Sequence, residues 1–205
     1  MPEIRKRIGQ TVLRARSAAG LESQTEWLLS TVSKFHGQGK GLADGIIVQV
    51  GWSLLRMRSD GNELAVCEPD FDGNPFKDFR DDVTTTLMVL ASQNTVLSKV
   101  GVERSALRFD EKVVMKKGVL SEARIYAERQ DPRPGDSGWY VGPRSKGGAA
   151  PGVDELEAKW VFEFGKLRPC LLDVMALPPG YVAIFDGERI EGIADPNDRD
   201  LWNRK

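Results

Sequence analysis

The sequence is poor in the residues on which metal sites and nucleophilic catalysis depend. It has 1 histidine, His36, and 2 cysteines, Cys67 and Cys170, among 205 residues. Zinc sites need clustered nitrogen and sulfur ligands, so we predict no metal site, and no motif indicates a cofactor. The two cysteines lie far apart in apolar stretches, which makes a disulfide a poor expectation and favours buried free thiols.

A long apolar run and an excess of charge of one sign are also missing. No stretch of about eighteen apolar residues is present, which argues against a membrane-spanning helix. No apolar segment follows the basic start of the chain, which argues against a secretory signal. The formal net charge is -1, so no overall field points to a nucleic acid or a membrane as the partner. Together these absences predict a cytoplasmic protein.

The most informative motif is Gly135-Asp136-Ser137-Gly138-Trp139. One interpretation is a serine nucleophile, because Gly-Asp-Ser-Gly resembles the stretch around the nucleophile of chymotrypsin-like proteases. Such a serine needs a general base. The only histidine, His36, lies at the end of a helical pattern and lacks that family's flanking residues. Trp139 and Tyr140 also stand where that family has glycine and proline.

The other interpretation from the residues is a tight turn with no catalytic role. The stretch before Ser137 is rich in proline, glycine and aspartate, which fix or free backbone angles. Asp136 is expected to accept hydrogen bonds from the backbone N–H groups that follow it, and Gly138 to take a positive φ. Trp139 would then begin a strand with its ring in the core. In this interpretation Ser137 is structural.

A family resemblance adds to the second interpretation. Asp136-Ser137-Gly138-Trp139 resembles the Asp-Ser-Gly-Trp motif of the immunity protein 33 family, and the strand with Tyr126 precedes it as in that family. The acidic stretch 152–157 and the strand at 177–183 fit the family's later elements, while the loop 142–150 and the run 160–175 depart from it. The resemblance covers residues from about 105 to 205.

The resemblance implies an intracellular immunity protein that binds and neutralises a cognate bacterial toxin by stoichiometric occlusion. It implies no turnover, so the protein would not be an enzyme, and no cofactor. Two alternatives remain from the residues: a hydrolase centred on Ser137, and a non-catalytic regulatory or scaffold protein. The oligomeric state is not predicted.

A segment of the first half is strongly acidic. Residues 60–82 hold eight acidic side chains against two basic ones, with phenylalanines among them. One interpretation is a solvated loop. The other is a docking surface for a basic protein partner, since carboxylates interleaved with aromatic rings suit such a partner. We predict a partner site formed by Glu68, Asp70, Asp72, Phe76, Asp78 and Tyr140.

The hydrophobic pattern predicts an α+β fold, with N-terminal helices and a hairpin followed by mainly antiparallel strands with one or two helices. The spacing of Ile4, Ile8, Val12 and Ala15 predicts a first helix. Further helices are expected at 23–35, stopped by the glycines of 37–41, at 82–99 and at 153–164. Hairpins are expected at 46–67 and 181–193. The domains are predicted as 1–104 and 105–205, or as one continuous body.

Overall fold

The computed structural model describes residues 1–37, 41–144 and 151–204. Three parts of the chain that the sequence analysis discusses lie outside the described residues: 38–40 of the predicted helix stop, the side chain of His36, and 145–150 of the predicted loop. The chain divides into two compact units, Met1–Leu90 and Ala91–Lys205. The predicted domains 1–104 and 105–205 stay a prediction, because compactness does not test whether either part folds by itself.

The first unit is built on a mixed sheet. Its strands are β1 (Glu3–Ile8), β2 (Thr11–Arg16), β3 (Ile47–Val50), β4 (Ser53–Asp60), β5 (Glu63–Pro69) and β6 (Phe79–Arg80). The order is β1-β2-β5-β4-β3, with β6 paired to β5, and β2 runs parallel to β5. Helix α1 (Glu22–Gly37) contacts β1, β2 and β3. The long helix α2 (Thr84–Val100) follows this sheet in sequence.

The second unit is built on another six-stranded sheet. Its strands are β7 (Lys112–Lys116), β8 (Arg124–Arg129), β9 (Asp136–Pro143), β10 (Leu156–Trp160), β11 (Val182–Asp186) and β12 (Arg189–Ala194), and the short helices α3 (Phe164–Leu167) and α4 (Cys170–Val174) connect β10 to β11. The order is β10-β7-β9-β8-β11-β12. All neighbours are antiparallel except β7 and β9, which are parallel.

The predicted fold class is wrong in its N-terminal part. The described chain is mostly β, with two sheets and four α-helices, and it begins with strands. The predicted first helix is the hairpin β1–β2, because Gly9 takes a positive φ of 58° and turns the chain between Ile8 and Thr11. The predicted helix at 153–164 is a short 3₁₀ turn followed by strand β10 and a second 3₁₀ turn.

Other elements lie near their predicted positions. Helices α1 and α2 match the patterns at 23–35 and 82–99, and β11–β12 is the predicted second hairpin. The first part of the hairpin expected at 46–67 is divided into β3 and β4, since Gly51 turns the chain with a φ of 59°. Each of these elements has a strong local signal, either a long apolar face or a glycine turn.

Candidate functional site

The motif residues 136–139 begin strand β9 and hold a tight turn against the end of β8. The Asp136 side chain accepts a hydrogen bond from the Gly138 N–H at 2.9 Å, and Gly138 has a φ of 77°. The Gly138 carbonyl accepts a hydrogen bond from the Gln130 N–H at 2.8 Å. A Cβ atom at Gly138 would lie 2.2 Å from the Gln130 carbonyl oxygen, so only glycine fits this approach.

Ser137 is a buried structural residue in this turn. Its side chain is 0% exposed, and its hydroxyl donates to the Lys112 carbonyl at 2.7 Å. The same oxygen accepts the Trp139 N–H at 3.3 Å. A nucleophilic serine needs an open approach for its substrate and a base that takes its proton. Here a neighbouring strand's carbonyl holds the hydroxyl.

Trp139 seats the motif in the core of the second unit. Its ring is 1% exposed, and its indole N–H donates to the Met175 carbonyl at 3.0 Å. The Arg129 guanidinium carbon lies 5.8 Å from the centre of the ring, which is cation–π distance. Burial of a large apolar side chain stabilises a fold by about a few kcal/mol, so the tryptophan has a clear structural role.

Arg129 is the central residue that the sequence analysis missed. It is fully buried, and burial lowers the pKa of its guanidinium. The guanidinium donates hydrogen bonds to four backbone carbonyls, and these bonds stabilise its buried charge. The acceptors are the carbonyls of Ala106, Ser137, Met175 and Leu177. Strand alternation was the available signal, since Ile125, Ala127 and Arg129 share the core face of β8.

Glu68 of the predicted partner site is buried in the first unit. Its side chain is 0% exposed and accepts hydrogen bonds from Arg80 Nη2 at 2.9 Å and from the Thr86 N–H at 2.7 Å. Burial raises the pKa of this carboxyl group, and the bonds to Thr86 and Arg80 partly offset the shift. Glu68 therefore anchors the start of α2 and presents no surface to a partner.

Much of the remaining negative charge of residues 60–82 is paired within the first unit. Asp60 and Asp81 bind the buried Arg14, and Asp81 also contacts Arg58 at 3.2 Å. The bond to Asp81, together with those to Asp60, raises the pKa of the Arg14 guanidinium. Asp82 accepts the Thr84 N–H at 3.0 Å at the start of α2. The eight-to-two charge bias is thus largely neutralised before any partner arrives.

What remains exposed is the loop between β5 and β6, which we term the contact loop (residues 70–78). Asp70 is half-buried, whereas Asp72, Asp78 and Phe76 are exposed, Phe76 to 48%. The loop is fixed from within, because the Asp70 N–H donates to the Asp78 carbonyl and the Asp78 N–H to the Asn74 carbonyl, both at 2.8 Å. It therefore presents Phe76 in a defined position.

Packing beneath the contact loop adds to this order. Phe71 is buried and stacks on Trp52 with ring centres 4.8 Å apart. Pro75 is buried as well. Asp72 pairs with Arg80 at 3.0 Å, so its charge is already partly used.

Tyr140, the last residue of the predicted site, lies on β9 in the second unit, while the other five lie in the first. It is half-buried, and its ring centre is 5.9 Å from that of Tyr126. Beside it is a cleft of about 500 Å³. The cleft is lined by Val114, Gln130, Asp131, Pro132, Arg133, Asp136, Gly138, Trp139 and Tyr140.

In residues 1–37, 41–144 and 151–204, no group of three or more histidine, cysteine, aspartate or glutamate side chains could hold a metal ion. Within the same ranges, no helix is long and apolar enough to cross a membrane.

Comparison with known proteins identifies the family. No curated protein and no solved structure matches the chain significantly. The family model of the Imm33-like domain matches residues 92–203, which is more than half of the chain and includes the whole sheet of the second unit. The predicted resemblance to the immunity protein 33 family is confirmed. The chain belongs to the Imm33-like domain family.

Proposed function

We propose that this protein binds a cognate bacterial toxin and neutralises it by stoichiometric occlusion. The observation that carries the proposal is the Imm33-like domain at residues 92–203. A binder of this kind needs a stable scaffold and an exposed recognition surface, and it needs no turnover. In the second unit the family motif serves the scaffold, because Ser137 and Trp139 are both buried and hydrogen-bonded.

The arrangement around Ser137 supports binding over hydrolysis. A serine hydrolase holds its nucleophile at an accessible position with donors aimed at the developing oxyanion. The Ser137 hydroxyl is buried and directed at the Lys112 carbonyl. We expect no labelling of Ser137 by a fluorophosphonate probe. Stoichiometric labelling that disappears in Ser137→Ala would instead favour the hydrolase.

The contact loop supplies the partner contact that we propose in the first unit. Asp70, Asp72 and Asp78 would steer a basic toxin toward the loop, and Phe76 would anchor it. The internal hydrogen bonds of the loop support this role, because a preorganised loop loses little conformational freedom on binding. The pairing of Glu68 with Arg80 supports the loop from below and has no direct part in recognition.

The decisive experiment for the proposed function joins capture with protection. A tagged copy is expressed in the native bacterium, the captured protein is identified by mass spectrometry, and its gene is expressed in a sensitive host with and without the immunity gene. We expect the captured protein to be toxic alone and harmless when co-expressed. Native mass spectrometry should show a complex of fixed stoichiometry. Protection by a small molar fraction of the protein would contradict occlusion and indicate catalysis.

The contact loop is tested by binding kinetics with the same toxin. Asp72→Lys with Asp78→Lys should slow association and flatten its salt dependence, because rim charges act mainly through steering. Phe76→Ala should speed dissociation, because an anchor acts through desolvated contact. Matched controls are Asn62→Lys and Met88→Ala, which alter exposed residues of the same unit outside the loop. Equal rates in loop and control variants would show that the loop is not the contact.

A further inference from the structure

The sheet of the second unit has two faces of different character. Strand alternation places one set of side chains in the core, where they are buried: Val113, Met115, Ile125, Ala127, Trp139, Val141, Ala183 and Phe185. The opposite side, which we term the outer face, carries side chains that are only partly exposed: Val114, Tyr126, Glu128, Tyr140, Val182 and Ile184. A sheet face that meets only water is usually polar. The middle of this outer face is mostly aromatic and aliphatic, and four charged residues lie at the ends of its strands: Lys112, Lys116, Arg124 and Asp186.

Strand β10 extends the outer face and reverses the usual alternation. Glu157 pairs directly with the core residue Met115, so the charged residues of β10 lie on the core side at the edge of the sheet. Its apolar residues, Leu156, Ala158 and Trp160, therefore lie on the outer face. Cross-strand pairing then aligns one row over five strands, Ala158, Val114, Tyr140, Glu128 and Val182.

Two tyrosines form the centre of the outer face. The rings of Tyr126 and Tyr140 both lie over Gly142, since a Cβ atom there would be 2.8 Å from a ring carbon of each. Their ring centres lie 5.9 Å apart. Gly142 thus makes room for two aromatic rings laid against the sheet. Tyrosine rings held in place offer a large contact area at a small loss of side-chain freedom.

The cations of this face have partners within the sheet or beside it, whereas one carboxylate has no ion-pair partner among the described residues. Lys112 lies over the Trp160 ring at 4.9 Å, and Lys116 approaches Glu155 at 3.8 Å. Arg124 approaches Asp186 at 3.9 Å. Glu128 lies directly opposite Tyr140. Within the ranges that the structure describes, Glu128 forms no ion pair.

The cleft beside Tyr140 continues the outer face and adds two carboxylates. Val114 and Tyr140 belong both to the outer face and to the cleft, whose lining includes Asp131, Asp136 and one cation, Arg133. In the described part of the chain neither Asp131 nor Asp136 has an ion-pair partner. An aromatic ring next to unpaired carboxylates is the environment that an arginine side chain prefers, because its planar guanidinium stacks on the ring and binds carboxylates.

From this juxtaposition we infer that the outer face is the surface of the second unit on which the toxin docks, with an arginine of the toxin placed between Tyr140 and Glu128 and directed toward the cleft. The inference rests on the proposed function and names the recognition chemistry of the second unit. The aliphatic side chains around the tyrosines would exclude water from the ion pair between Glu128 and the toxin's arginine. Exclusion of water strengthens such a pair.

The test measures the affinity of the captured, recombinant toxin for purified variants. Tyr140→Ala should raise the Kd by about 30-fold or more, the loss typical of a central anchor. Glu128→Gln should raise it by about tenfold or more, because the toxin's arginine is left without its charge partner. Ala158→Arg should also weaken binding, and it alters an exposed position, so folding is preserved.

Matched controls are Tyr181→Ala and Glu103→Gln, which make the same chemical changes in the second unit away from the outer face and should leave the Kd unchanged. Thermal melting confirms that each variant is folded. If the wild-type protein protects cells and the three outer-face variants bind as tightly as the controls, the docking surface is refuted and the proposed function stands. If the wild-type protein does not protect, both are refuted.

Discussion

Replacing Gly138 by alanine tests whether the family motif is a structural turn. A left-handed backbone costs an alanine roughly 1–2 kcal/mol. At Gly138 the new methyl group would also lie 2.2 Å from the Gln130 carbonyl oxygen and 3.2 Å from the Pro132 nitrogen. These are backbone atoms, and Gln130 is held by its hydrogen bond to Gly138. Overpacking of this kind adds about 1–3 kcal/mol, so Gly138→Ala should lower the free energy of unfolding by about 2–5 kcal/mol.

Gly135 provides the matched control. It has a φ of 78°, close to the 77° of Gly138, and a Cβ atom there would meet nothing within 4 Å. Gly135→Ala should therefore lower the free energy of unfolding only by the cost of the left-handed backbone, about 1–2 kcal/mol. Urea unfolding followed by tryptophan fluorescence measures both variants. Equal losses of stability at the two positions would refute the close approach of β8 and β9 at Gly138.

Three further predictions follow from burial and charge. Trp139→Ala should lower stability by roughly 3–5 kcal/mol in the same urea assay, as large aromatic deletions in cores do; a variant that melts like wild type would place the ring elsewhere. Burial raises the pKa of the Cys67 thiol. Burial also raises the pKa of the Cys170 thiol, to about 12. A thiol reagent at pH 8 should therefore label neither cysteine until urea unfolds the chain. The bond from Arg199 lowers the pKa of Asp195 to about 2, so the contribution of this pair should be complete above about pH 4 and be lost toward pH 2, which acid titrations of wild type and Arg199→Gln can compare.

The sequence predicted those elements whose apolar spacing fits only one structure. Helix α2 is an example, because its apolar face repeats over 17 residues. The two wrong helix predictions share one cause, which is a spacing of four residues between apolar side chains. Ile4 and Ile8 lie on one side of a helix, yet residues four apart also lie on one side of a strand. Leu156 and Trp160 have the same ambiguity, and both belong to strand β10.

The candidate site was predictable where it depends on neighbours in the chain. The positive φ of Gly138, the Asp136 hydrogen bond and the buried Trp139 all follow from a turn signature. The pairing of Glu68 with Arg80 and the outer face of the second sheet were not predictable. They depend on which strands become neighbours, and the sequence pattern of each strand leaves that open.

The four carbonyls that accept hydrogen bonds from Arg129 imply an order in which the second unit can fold during synthesis. The guanidinium donates hydrogen bonds to carbonyls as distant along the chain as those of Ala106 and Leu177. When only β7, β8 and β9 have been synthesised, the carbonyls of Met175 and Leu177 do not yet exist. The charge of Arg129 must then stay hydrated. We therefore expect the sheet's central strands to stay open on their core side until the segment after α4 emerges. The last third of the domain acts as the closing step of a nascent chain, so truncations before Leu177 should yield protein that chaperones retain.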